Sequence, residues 1–167
     1  NVRRRWGLFD DDNGFYWELD GTTLSVVIRS KVTGNVVNNV VNQDDFNVDK
    51  LDGTDSINLT LDVSKANIYW IDFQWLGAGR VRFGIVEPNG SRITAHSFEH
   101  ANTITTAPYS RTASLPLRVE QENTDTAGSG SEMRLMCATV KHAGKVPVVS
   151  NRLQVATTGA TLINLAD

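Results

Sequence analysis

Apolar and polar residues alternate with period two along several segments of this chain, and that pattern restricts its fold more than any other feature. In "TLSVVIRS" (23–30), Leu24, Val26 and Ile28 fall on one face of a strand. The same alternation recurs in "YWIDFQW" (69–75), "RVRFGIVE" (80–87), "SLPLRVEQEN" (114–123) and "EMRLMCATV" (132–140). Alternation of this kind predicts half-buried strands. The one candidate helical segment is a single turn at "DVSKAN" (62–67).

Turn sequences separate the predicted strands. They include "DDDNG" (10–14), "GAG" (77–79) and "PNG" (88–90). Asn-Gly and Asp-Gly supply the positive φ angles of tight hairpins, and short strands joined this way are typical of an antiparallel sandwich or barrel. We therefore predict an antiparallel β-sandwich, jelly-roll-like, over residues 1–141. Residues 142–167 lose the alternation and are predicted to form an extended C-terminal arm or connector.

Composition narrows the class of protein. The chain has 167 residues, 40% of them hydrophobic and 21% charged, which suits one soluble domain with a real core. A net charge of −3 argues against nucleic-acid binding, which needs a basic face. No apolar run approaches the roughly 20 residues of a membrane helix, so no membrane span is predicted. The one cysteine, Cys137, allows no internal disulfide and suits a product of a reducing cytosol.

"GAGRVRFG" (77–84) has the glycines of a phosphate-binding loop but not its context. A dinucleotide fingerprint needs a third glycine where this chain has Arg82, and it must open a helix. The segment that follows alternates as a strand does, so no helix N-terminus is available for a pyrophosphate. We interpret the stretch as a hairpin corner and predict no cofactor.

No metal site is predicted either. The acids of "DDDNG" (10–14) and "VDKLDGTD" (48–55) do not have the spacing of a calcium-binding loop and are interpreted as turns. His96 and His100 are four residues apart on a predicted strand. That separation is about 13 Å, too far for two ligands of one zinc ion.

The sequence also lacks a catalytic signature. No Gly-x-Ser-x-Gly motif is present. Glycoside hydrolysis needs two acids across a groove, and Glu87, Glu99, Glu120 and Glu122 are interpreted as outward acids on solvated strand faces. We therefore predict that the chain is not an enzyme, with a glycan hydrolase kept as a minor alternative because sandwich folds host many chemistries.

Three aromatic residues are the candidate interaction residues. Trp6, Tyr16 and Trp70 fall on the strand face opposite the one assigned to the core. Outward aromatics can stack on sugar rings or be covered by a neighbouring subunit, and a domain covered on both faces would also bury them. The sequence does not distinguish sugar stacking, cover by a neighbouring subunit and burial within the domain.

The amino-acid sequences of several predicted strands resemble a domain of large virion structural proteins of tailed bacteriophages. These proteins are fibre or tail components, including those of marine phages. The resemblance rests on "RWGLFDDDNGFYWELDGTTLSVVIRS", "FNVDKLDG", "LDVSKANIYWIDFQWLGAGRVRFGIV", "SLPLRVEQENT" and "MRLMCATV", and covers about residues 5–141. It implies a non-enzymatic, β-rich part of a virus particle repeated by symmetry, and it transfers no functional residue. The start at "NVRRRWG" fits a piece of a longer chain.

These observations give two hypotheses of different classes. The leading one is a virion structural module whose partners are copies of itself and other virion proteins. The alternative is a carbohydrate-binding module that recognises a host surface glycan through Trp6, Tyr16 or Trp70.

Overall fold

A computed structural model describes residues 1–55, 57–74, 78–103, 107–125 and 132–141. The chain divides into two compact units, Asn1–Arg134 and Leu135–Asp167. All regular secondary structure of the described residues lies in the first unit. In the second unit, residues 135–141 have no regular secondary structure, and Met136 is largely exposed. The predicted arm over residues 142–167 lies outside the described residues.

The first unit contains two antiparallel sheets, consistent with a β-sandwich, and this confirms the predicted all-β fold. One sheet has five strands in the order β4-β3-β2-β1-β8, and the other has three in the order β5-β6-β7. The strands are β1 (Val2–Phe9), β2 (Gly14–Asp20), β3 (Thr23–Ser30), β4 (Val37–Asn42), β5 (Ile68–Phe73), β6 (Val81–Val86), β7 (Arg92–Phe98) and β8 (Leu117–Asn123). A jelly-roll connectivity stays a prediction.

The predicted turns join neighbouring strands. At "DDDNG" the β1–β2 hairpin closes with a hydrogen bond from the Asp10 N–H to the Asn13 carbonyl at 2.8 Å. The Asp10 carboxylate accepts the N–H groups of Asp12 and Asn13. Gly14 follows with φ of 152°, a value that a residue with a side chain rarely adopts. The Asp10 carboxylate therefore caps the turn, whereas Asp11 and Asp12 form ion pairs with Arg118 and Lys31.

Aromatic side chains hold the two sheets together. Trp17 on β2 is fully buried and contacts Phe46, Tyr69 and Phe83, with ring centroids 6.0, 5.2 and 5.8 Å away. Phe46 belongs to the segment after a 3-10 turn at Gln43–Asp45, and Tyr69 and Phe83 lie on the smaller sheet. Trp17 therefore spans the sandwich at its centre. Burial of such apolar area is the main source of stability of a domain of this size.

The candidate helical segment 62–67 forms a single turn, as predicted. The Lys65 N–H donates to the Asp62 carbonyl, and the Asp62 carboxylate accepts the Ser64 N–H. Other local predictions were wrong. Residues 132–141 form no strand although 132–140 alternate, and they are largely exposed. A β-strand needs a neighbouring strand that pairs with its backbone N–H and C=O groups, and an alternating sequence alone does not supply one. The strand β4 was not predicted at all.

Candidate assembly and binding surfaces

The two sheets have four edge strands, and three of them are protected. The β8 edge carries Arg118, Glu120 and Glu122. The β5 edge carries Asp72, which forms an ion pair with Arg82 of the neighbouring strand. Charges on an edge discourage pairing with another chain.

The third protected edge is β7, which the segment 46–49 covers. The Val48 and Asp49 N–H groups donate to the Ala95 carbonyl at 3.1 and 3.0 Å. The Asn47 side chain donates to the Ser97 carbonyl and accepts the Ser97 N–H, both at 2.9 Å. The Ala95 carbonyl and both backbone groups of Ser97 on this edge therefore have partners within the chain.

The fourth edge, β4, has no such protection among the described residues. Its backbone hydrogen bonds there run only to β3. Residues 32–43 contain no charged residue and no proline. Val36, Val37 and Val40 are 44%, 55% and 47% exposed. An uncharged, valine-rich edge is the kind of strand that natural proteins otherwise blunt, so β4 is the candidate assembly surface.

A cleft opens beside β4 on the inner face of the larger sheet. It has a volume of about 240 Å³ and is lined by residues that include Val37, Asn39, His100 and Tyr109. The His100 ring stacks on Tyr109 at 4.5 Å, and its Nδ1–H donates to the Gly79 carbonyl at 2.8 Å. The Tyr109 hydroxyl donates to the Gln74 carbonyl, and burial raises its pKa to about 12. Both polar side chains are therefore occupied with backbone carbonyls.

Trp6 does not lie on the outer face, contrary to the prediction. It packs against the core, and its ring meets Tyr69 of the smaller sheet edge-on at 4.9 Å. In the strand register Trp6 is opposite Trp17, and opposite residues on antiparallel strands point to the same side. The predicted face was wrong because Trp17 points inward.

Tyr16 lies on the outer face but is fully buried, so it offers no surface for stacking. It forms a small second cluster with Phe9 and Val27. The guanidinium carbons of Arg29 and Arg5 lie 5.1 and 5.9 Å from its ring centroid. Burial raises the pKa of the Tyr16 hydroxyl, although the charges of the two arginines act against that rise. Arginine side chains, instead of a subunit or a sugar, cover this aromatic ring.

Trp70 is the one predicted aromatic that is both outward and half-buried. Its indole lies over Gly84 of β6, where a Cβ atom would come within 2.4 Å of the ring. The indole Nε1–H donates to the Ile85 carbonyl at 2.9 Å, which fixes the ring orientation. The guanidinium carbons of Arg82 and Arg92 each lie 5.9 Å from the ring centroid. We call these residues the Trp70 platform.

The two histidines of "HSFEH", His96 and His100, lie in different parts of the structure. His96 lies in β7 and is buried, whereas His100 lies beyond the end of that strand at Phe98. The His96 Nδ1 accepts the Asn47 N–H at 3.3 Å, and burial lowers the pKa of this imidazole. His96 therefore acts as a neutral core acceptor. Among the described residues, no three His, Cys, Asp or Glu side chains gather as a metal site.

The four acids considered for catalysis bind other side chains of the chain. Glu120 pairs with Arg5 and Arg118, each at 2.7 Å, and Glu122 lies 3.8 Å from Arg3. Glu87 accepts the Asn89 amide, and Glu99 accepts the Ser97 hydroxyl. Each of these carboxylates therefore has a partner within the chain.

Comparison of the chain with protein-family models, with curated proteins and with solved structures finds no match. A helix that crosses a bilayer needs about 20 apolar residues, and none of the described segments forms one.

Two features of these surfaces escaped the sequence interpretation. The first is β4, whose signal is the uncharged run "NVVNNVVN" (35–42) between a glycine turn and two aspartates. The second is the pair of arginines beside Trp70. They come from different segments, and only the register of β5, β6 and β7 brings them to one ring.

Proposed function

We propose that this chain is a non-enzymatic structural module of a virus particle, which assembles by symmetric packing against copies of itself and neighbouring virion proteins. The observation that carries the proposal is the unprotected, uncharged edge of β4 with its exposed valines. Edge strands of this kind pair readily with another strand, because their outward N–H and C=O groups have no partner in the monomer.

The contrast with the other edges supports an assembly role. Ion pairs or a covering segment protect β5, β7 and β8. Such a domain resists pairing with other chains along three edges and can still pair along the fourth. The resemblance of the strand sequences to virion structural proteins of tailed phages gives the proposed location, a fibre or tail component.

The first test measures the oligomeric state of the full 167-residue chain. We expect sedimentation velocity to show an oligomer whose fraction of the total protein rises with protein concentration. The oligomer should persist at about 1 M sodium chloride, where charges are screened beyond about 3 Å, because residues 32–43 carry none. A monomer at every concentration would contradict an assembly role.

The Trp70 platform favours a second candidate function, binding of a host surface glycan. Pyranose rings stack on flat aromatic faces, and guanidinium groups donate to hydroxyls and carboxylates. The Trp70 ring is fixed by its hydrogen bond to Ile85. Arg92 is exposed and forms no ion pair with the described residues, so its donors are available to a ligand.

The glycan hypothesis is tested with a glycan array followed by titration of any sugar that binds. We expect Trp70→Ala to weaken binding at least about tenfold, a loss of about 1.4 kcal/mol, because the variant removes the aromatic face on which the sugar ring would stack. Arg92→Gln should weaken the binding of acidic sugars more than the binding of neutral sugars. Arg111→Gln, at an exposed arginine elsewhere, serves as the control. A silent array, or equal affinity for wild type and Trp70→Ala, would remove this candidate.

A further inference from the structure

An apolar row crosses the outer face of the larger sheet and ends at the open edge. In the strand register Tyr16 is opposite Val27, and Val27 is opposite Val40. Tyr16 and Val27 are fully buried, whereas Val40 is 47% exposed. Cross-strand neighbours on one face contribute to sheet stability through side-chain contact. Val40 has such a neighbour on the β3 side and none on the other side among the described residues.

Two asparagines flank Val40 on the same face. The Asn38 Oδ1 accepts the Arg29 Nε–H at 3.0 Å, and the Asn42 Oδ1 accepts the Ser25 hydroxyl at 2.9 Å. These contacts orient both amides and leave each Nδ2 group without an acceptor among the described residues. An amide has two donor hydrogens and two acceptor lone pairs, so both side chains can bond a further amide.

The absence of charged residues on β4 favours a second copy of this chain as its partner. A two-fold axis perpendicular to a sheet places a strand antiparallel to itself, with the same face outward on both copies. A charged side chain near that axis would meet its own like charge, which is destabilising. Residues 32–43 are uncharged, so no like charges would meet at such an axis, whereas β8 carries Arg118, Glu120 and Glu122.

We propose that β4 pairs antiparallel with β4 of a second copy around a two-fold axis at Val40. Val40 then meets Val40 of the second copy, and each Asn38 meets Asn42 of the other copy. All these positions lie within the observed strand, Val37–Asn42. The apolar row becomes continuous across both molecules, and the two five-stranded sheets become one. This inference rests on the proposed assembly role and names its contact.

Cysteine cross-linking tests the register. Val40→Cys is made in a Cys137→Ser background, because Cys137 is exposed and unpaired. Directly opposite Cβ atoms on antiparallel strands lie about 4.5–5.5 Å apart, which a small shift brings into disulfide range. Mild oxidation should give a covalent dimer with Val40→Cys and little with Asn39→Cys, which would be central in the neighbouring register. Preferential cross-linking through Asn39→Cys would overturn the proposal.

A charge at the axis tests the interface by a second route. Val40→Lys places two lysines opposite each other, and we expect the dissociation constant of the dimer to rise at least about tenfold. Val63→Lys is the matched control, because Val63 is 39% exposed and lies in the separate turn after Asp62. Circular dichroism checks that both variants fold.

The outcomes separate the two proposals. A wild-type monomer would overturn both the assembly role and the β4 contact. A wild-type oligomer that Val40→Lys leaves intact, and that Val40→Cys does not cross-link, would overturn the β4 contact alone. Loss of the oligomer with Val40→Lys but not with Val63→Lys, together with the Val40→Cys cross-link, supports it.

Discussion

Replacing Trp17 with alanine is expected to lower the free energy of unfolding by about 3–5 kcal/mol, the range for aromatic-to-alanine changes in a core. Trp17 is fully buried, and its ring contacts Tyr69 and Phe83 of the smaller sheet and Phe46 of the segment after β4. The cavity would therefore open between the sheets, where neither sheet can relax into it without losing other contacts. Chemical denaturation followed by circular dichroism measures the change.

Trp17→Phe is the control that separates packing from the polar group. The Trp17 Nε1–H is buried and has no hydrogen-bond partner among the described residues, and an unsatisfied buried donor costs about 1–3 kcal/mol. Phenylalanine removes that donor while it keeps a ring between the sheets. We expect it to cost at least about 1 kcal/mol less than alanine does. Equal losses for the two variants would contradict the view that ring packing at this position joins the sheets.

Much of the sandwich could be predicted from local patterns. β5 and β6 alternate clearly, because one side of each strand faces the core and the other side carries Asp72, Arg82 and the half-buried Trp70. The antiparallel pairing of β5 and β6 was predicted for the same reason, and the Gln74 N–H donates to the Arg80 carbonyl at 2.9 Å beyond the last residue of β5. The prediction worked where the two faces of a strand have different surroundings.

β4 was missed because its sequence, "VNNVVN", does not alternate. Its residues are mostly exposed on both faces, so burial imposes no period on them. The strand forms because β3 offers it a complete hydrogen-bonding partner from Ser25 to Ser30. The segment that matters most for the proposed assembly is therefore the one with the weakest periodic signal.

The face of Trp6 was predicted wrongly because β1 and β2 have large apolar groups on both sides. Trp6 and Trp17 point into the sandwich, while Phe9 and Tyr16 point outward beneath arginine side chains. Hydrophobic alternation distinguishes two faces only when one of them is polar. Arginines from other strands supply the cover on the outer side, and their positions depend on the sheet register.

The same outer face carries a set of ion pairs centred on Arg5. Its Nε–H donates to Glu18 of β2, and a terminal N–H donates to Glu120 of β8, each at 2.7 Å. The three side chains are 13%, 15% and 23% exposed. Burial alone would lower the pKa of Arg5, but its hydrogen bonds to the two carboxylates outweigh burial and raise it. Arg5 therefore links the two strands on either side of β1.

Arg5→Met is expected to lower the free energy of unfolding by about 2 kcal/mol, less than the about 3–5 kcal/mol lost when a fully buried pair is broken. Methionine keeps most of the aliphatic packing. The expected loss of stability therefore comes mainly from the carboxylates of Glu18 and Glu120, which each lose a hydrogen-bond donor. Amide hydrogen exchange should also accelerate in β8, because Glu120 loses its contact across the strand pair.

The matched control is Lys65→Met, which breaks an exposed pair with Asp62 whose side chains are 75% and 46% exposed. Such surface pairs contribute at most about 1 kcal/mol, so this variant should change stability by less than about 0.5 kcal/mol. Equal effects of the two substitutions would show that Arg5 is no more than a surface charge. A larger effect for Arg5→Met, together with faster exchange in β8, would show that its ion pairs hold this late strand of the chain against β1.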